Sequence, residues 1–172
     1  MTDAHPPSRL EGDDLETWSA LATVLEWLPA ALDAQLQRDS QLTHFEYGLL
    51  YALAQAPEHT LRMSVLAGYA HSTLSRLSRA ATRLEGRGLM RREPDARDGR
   101  YTLAILTSAG VAVVAQATPG HARLVHDLVL SRLTAPQHRQ LREISRRIAA
   151  GIRADGAWTP PASSEAADTL DG

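Results

Sequence analysis

The 172-residue chain contains neither cysteine nor lysine. The first absence removes disulfides, thiolate metal sites, cysteine nucleophiles and thiol-based redox sensing. The second means that all 18 basic residues are Arg, whose planar fork suits bidentate contact with phosphate and guanine, although a GC-rich genome produces the same usage. No window approaches the roughly 18 uninterrupted apolar residues of a membrane span. Nothing near the N-terminus combines a basic segment, an apolar run and a cleavage site, so a soluble, cytoplasmic protein with no membrane partner is expected. Also missing are a nucleophile elbow, a phosphate loop, a metal motif and an acid pair tied to a strand end. No enzyme activity and no cofactor are expected. Among seven histidines, His121 and His126 lie five apart, which does not bring both to one helical face as a spacing of four would, so no metal site is read.

What is present begins with an uneven charge. Residues 1–60 carry 2 Arg against 10 acids, residues 61–101 carry 9 Arg against 4, and residues 102–172 carry 7 against 6. A basic segment therefore sits inside a chain of net charge -2, and it reads either as a solvated face or as a polyanion site. With 44% hydrophobic residues, the chain can bury one sizeable core, completed by a partner copy. Residues 1–13 and 154–172 lack an apolar period and read as mobile tails.

Between the tails the period is mostly helical. A first helix over about 15–36 carries Leu21, Val24, Leu25, Leu28, Leu32 and Leu36, with Pro29 as a kink. Thr43 caps a second, with Phe45, Leu49, Leu50 and Leu53 on its inner side, ending near Pro57. Thr60 then caps a short helix holding Leu61, Val65 and Leu66, and a turn at 68–71 leads to a second short helix capped by Ser72. Leu74, Leu77, Ala81 and Leu84 form its buried stripe, and Gly86 ends it. On the outer side Ser72, Arg76, Arg79 and Arg83 recur at helical spacing, a row of hydroxyls and guanidinium groups that matches what a major groove offers. Two strand-length pieces, 89–93 and 101–106, follow with PDARDGR between them, giving a hairpin whose tip can place an Arg in a minor groove. Thr107 caps a further helix to about Leu133, broken or kinked at Pro119 and Gly120. Thr134 and Pro136 open the last one, with Leu141, Ile144, Ile148 and Ile152 along one face. These terminal helices hold more apolar surface than a small winged core covers, which suggests an intertwined dimer.

Three stretches, LTHFEYGLLYAL, STLSRLSRAATRLEGRGLMRR and DGRYTLAILTSAG, resemble the MarR family of bacterial transcriptional regulators, and the resemblance runs from about residue 15 to 153. The last holds the family's wing signature at Asp98, Arg100, Leu106, Thr107 and Gly110, with Gly99 where many members have a second Arg. The resemblance implies a mainly α fold: a winged helix-turn-helix with a two-stranded wing over 43–107, and dimerisation helices over 14–38 and 108–153, in a single domain spanning 14–153. It further implies a homodimeric repressor on a palindromic double-stranded operator, released by a small phenolic or other aromatic effector. Carried over residue by residue, Ser72, Thr73, Ser75, Arg76 and Arg79 face the major groove or its phosphates. Arg97 and Arg100 belong to the wing, with Asp98 orienting the Arg100 guanidinium. Arg83 pairs with Glu85 or a phosphate. Trp27, His44 and Tyr47 are candidates for a ligand pocket or, as aromatic and His residues at helical spacing more often are, for ordinary core. The alternative function is a winged-helix protein-interaction or architectural DNA-binding module without a ligand.

Overall fold

The first helix, α1 (Gly12–Ser40), runs without interruption through Pro29 and buries only Leu32, Gln35 and Leu36, all in its second half. The computed structural model describes residues 9–152; most of the two expected tails, 1–8 and 153–172, lies outside the described residues. Helix α2 (His44–Gln55) begins at a full capping box, Thr43 accepting from the Glu46 amide while the Glu46 carboxylate accepts from the Thr43 amide, so two otherwise orphaned donors are satisfied. Thr60, expected as a cap, instead opens a short strand, β1 (Thr60–Arg62), and α3 (Met63–Tyr69) starts after it with no side-chain cap.

Helix α4 (Leu74–Gly86) buries Leu77, Ala80, Ala81 and Leu84. Its cap is Thr73, whose Oγ1 accepts from the Arg76 amide at 3.2 Å, rather than Ser72. Leu74 therefore lies in the first turn, beyond the end of the core, and is 59% exposed where the period had placed it inside. The helix closes through Leu89 N to Leu84 O and Gly88 N to Glu85 O, at 2.9 and 2.8 Å. That pair of bonds needs a left-handed residue just past the end, and Gly88 supplies it at φ +69, not Gly86.

Strands β2 (Met90–Pro94) and β3 (Thr102–Leu106) form the expected hairpin, but β1 pairs with the far side of β3 to make a three-stranded antiparallel sheet in the order β1-β3-β2. Thr107 caps α5 (Ser108–Leu128). A Cβ at Gly110 would stand 2.1 Å from the Leu89 carbonyl oxygen, so only glycine lets this helix start against the sheet. Helix α5 is not broken at Pro119 and Gly120. Tertiary packing overrides their poor helix propensity: Val114 and Ala117 are buried, the Tyr47 hydroxyl meets Thr118 Oγ1 at 3.1 Å, and Gly120 lets Gln35 and Asp39 of α1 approach closely. It ends at Leu128, short of Leu133, and a 3-10 turn at Leu130–Arg132 leads into α6 (Ala135–Ile152).

The core lies where α2, α3, α4 and the sheet meet, with Leu49, Leu50, Leu53, Leu66, Leu77, Leu84 and Met90 fully buried. Helix α6 buries none of its residues, and Leu141, Ile144, Ile148 and Ile152 are all exposed. Among the described residues no helix is long and apolar enough to cross a membrane.

Candidate nucleic-acid interface

With the buried stripe of α4 on one side and about 100° between successive residues, Ser75, Arg79 and Thr82 occupy the middle of its outer side. The row Ser72, Arg76, Arg79 and Arg83 is thus displaced toward α2. Two of its members are held there. The Arg76 guanidinium lies 4.3 Å over the Phe45 ring, and Arg83 Nε donates to Glu46 Oε1 at 2.8 Å. Glu46, not Glu85, is therefore the partner of Arg83. Burial pushes the Glu46 carboxyl up, but the Thr43 amide and Arg83 outweigh it, so the group rests below its ordinary value of 4.5. The Arg79 side chain has neither a hydrogen bond nor an ion pair among the described residues. Ser72 donates to the Thr73 carbonyl, and Ser75 is exposed on the first turn.

Arg92 of β2 ties the hairpin to this helix. Its guanidinium reaches Glu85, Ser78 Oγ and Thr82 Oγ1, and its amide donates to Glu85 Oε1 at 2.8 Å. The Arg92 hydrogen bonds lower the Glu85 carboxyl against its desolvation. Sequence reasoning missed Arg92 and Thr82. A helical projection of α4 would have found Thr82, whereas Arg92 carries no signal except that its period aims it back at the helix.

At the wing tip Arg100 forks onto Asp98, Nε to Oδ1 at 2.9 Å and Nη2 to Oδ2 at 2.7 Å. The Arg100 side chain is 83% exposed, and its hydrogen bond holds the Asp98 carboxyl below the ordinary 3.8. Among the described residues Arg97 donates only its amide, to Asp95 Oδ1 at 2.9 Å. All four acids of the basic segment are thereby matched: Glu85 by Arg92, Glu93 by Arg91, Asp95 by Arg62 and Asp98 by Arg100.

A separate cavity of about 370 Å³ opens between α2, α3 and α5, lined by His44, Tyr47, Tyr51, Tyr69, Thr118 and His121 among others. The His44 and His121 rings stack at 5.7 Å, and Tyr47 lies 4.7 Å from His121. Burial, and then the neighbouring His44, push the His121 imidazole below its ordinary 6.5. Of the three ligand candidates the structure brings His44 and Tyr47 together here. Trp27 does not join them; it is 74% exposed on α1.

The MarR family model matches residues 42–102. The regulator Sco3205 of Streptomyces coelicolor, solved in complex with DNA, is 41% identical, with a TM-score of 0.83 over 90% of this chain and 97% of that one. AbsC, also from Streptomyces coelicolor, is 29% identical with a TM-score of 0.80 over 84% and 98%. The transcriptional regulator HosA of Escherichia coli is 34% identical over 108 residues, 62% of this chain and 77% of HosA.

Proposed function

Because the chain belongs to the MarR family of transcriptional regulators, we propose that it is a cytoplasmic repressor which seats as a homodimer on a palindromic operator. The observation that carries this reading is the matched set of acids within the basic segment that forms α4 and the wing. Each carboxylate of the basic segment is neutralised by an Arg, so Arg76, Arg79 and Arg97, which pair with no acid among the described residues, present net positive charge to an incoming polyanion. Each protomer places α4 in a major groove, with Ser75, Arg79 and Thr82 toward the bases, Thr73 and Ser72 near the backbone, and Arg76 at the edge. The wing tip carries Arg100 to the flanking minor groove, with Asp98 holding its guanidinium in plane. The two recognition helices then lie roughly 34 Å apart, one turn of duplex.

The cavity between α2 and α5 is the place for a small aromatic effector, phenolic or otherwise. Its Tyr and His rings offer stacking and hydrogen bonds, and the first turn of α2 joins it to Arg76 and Arg83 of the reading helix.

Fluorescence anisotropy on duplexes from the DNA flanking the gene, at several salt concentrations, tests the reading. If the dimer neutralises on the order of eight phosphates, log affinity falls against log salt with a slope of about -7. A flat salt dependence, or equal binding to a scrambled duplex, overturns it.

A further inference from the structure

We propose that Arg62 is a positioning residue for the wing: by gripping Asp95 and lying on the Tyr101 ring, it sets the direction in which the tip presents Arg100. The inference rests on the DNA-binding reading and concerns a residue outside the faces that touch the duplex in it.

Arg62 occupies the cap position of α3, where Ser, Thr, Asp or Asn would accept a hydrogen bond from the first turn. It makes no such bond. Its side chain instead crosses to the wing, 33 residues away, where Nε and Nη2 donate to Asp95 Oδ2 at 3.0 and 2.8 Å. The same guanidinium lies 4.2 Å over the centre of the Tyr101 ring, close enough for a cation–π contact.

Asp95 is the hub of the tip. Its side chain is only 8% exposed, its Oδ1 accepts the Arg97 amide, its own amide donates to the Tyr101 carbonyl at 2.9 Å, and its carbonyl accepts the Asp98 amide at 3.2 Å. The Tyr101 amide closes the loop on the Asp98 carbonyl at 3.0 Å. The segment 95–101 is therefore a small closed body, with Asp98 and Arg100 fixed relative to Asp95 and Tyr101. Arg62 holds both of those residues.

The sheet explains why a brace is needed. Pairing between β1 and β3 stops at Arg62 opposite Leu103, whereas β2 and β3 stay paired to Pro94 opposite Thr102. Beyond Arg62 a single two-stranded rung, Pro94 opposite Thr102, carries the closed tip, and two strands twist more freely than a full sheet. A side chain reaching from the last residue of β1 to the base of the tip restrains that twist. It also ties the wing to the start of α3, and so to the helix-turn-helix. With Arg62 41% exposed and Asp95 only 8% exposed, the pair makes a modest contribution to folding, so binding is compared under conditions where every variant is fully folded. Its effect belongs to binding, because a tip already aimed loses less freedom when it docks.

The experiment is a double-mutant cycle on a duplex enriched by the wild-type protein from a random-sequence library. Arg62→Ala is expected to weaken binding about tenfold, as is Arg100→Ala, and the double variant to lose no more than the worse single, since an unaimed Arg100 has little left to lose. Arg62→Lys, which keeps the charge and the aliphatic stem but cannot fork and stack in the same way, is expected to behave like Arg62→Ala, and it provides the same comparison should the alanine variant not fold. The melting midpoints of the Arg62 variants are expected to fall by no more than roughly 5 °C, leaving both fully folded at the temperature of the binding measurement. Full affinity in Arg62→Lys, or losses in the double variant that multiply, would show Arg62 acting as a plain charge near the backbone and overturn the proposal. If no duplex is enriched by the wild-type protein, the DNA-binding reading falls and the brace with it; an enriched duplex with multiplying losses removes the brace alone.

Discussion

Arg79 and Arg83 stand four residues apart on α4, and their surroundings divide their roles. Arg83 is engaged by Glu46, whereas Arg79 lies in the middle of the outer side with no partner among the described residues. Arg79→Ala is therefore expected to lower operator affinity about tenfold while leaving the melting curve in place. Arg83→Ala is expected to cost about 1 kcal/mol of stability, the modest value of a half-exposed pair, with a smaller change in affinity. Anisotropy and thermal unfolding on the two variants decide it; a loss of affinity concentrated in Arg83→Ala would reverse the assignment. The Arg row was legible in the sequence from spacing alone. Which of its members are already engaged was not, because Phe45 and Glu46 come from another helix and local periodicity carries no information about them. Arg62 was invisible for the same reason, its partners lying on the far side of the helix-turn-helix.

Helix α2 depends on its first turn more than its length suggests, since Glu46 serves both the capping box and Arg83. Its carboxyl is held below the ordinary 4.5 in the folded state, so the folded protein binds this proton less readily than the unfolded chain. The stabilisation is fully present above pH 4.5 and is lost as the pH falls through the folded-state value. Glu85, Asp95 and Asp98 are lowered as well, so the signature of Glu46 is the difference between two curves. Glu46→Gln is expected to be less stable than wild type at neutral pH, with the gap narrowing as both are acidified below pH 4.5. A constant gap in denaturant-measured stability would mean that the charge of Glu46 contributes nothing. At this scale the caps at Thr43 and Thr107 and the hairpin were readable, because each rests on local chemistry. Strand β1 was not: three residues are too few to show a period, and Thr60 at its head mimics a cap. The unbroken α5 was also hidden, since Pro119 and Gly120 are tolerated through packing on α1 and α2 rather than through anything in their own window.

The molecule as a whole leaves one account open on a single chain. Helix α6 buries nothing, its Leu141, Ile144, Ile148 and Ile152 stripe is exposed, and Leu15, Trp18 and Leu25 stand out from the first half of α1. The sequence showed the stripe on α6, and Leu25 on α1, as helical periods without a partner, whereas Leu15 and Trp18 were not read as part of one; a single chain does not contain the surface that meets them. Contiguous apolar faces of this kind are costly in water and mark an interface, and on the proposed reading a second copy covers them. Two linked half-site contacts bind far more tightly than either alone, because the second becomes intramolecular. Replacing Ile144 and Ile148 together by Arg puts two charges into that seam without touching the reading head. The expected outcome is a monomer by sedimentation, an unchanged spectrum for the winged core, and operator affinity lower by at least about a hundredfold, with the weaker binding no longer requiring both half-sites. A variant that sediments as a dimer with full affinity would place the dimer contact elsewhere, whereas a monomer that still binds a full operator tightly would remove the need for two copies.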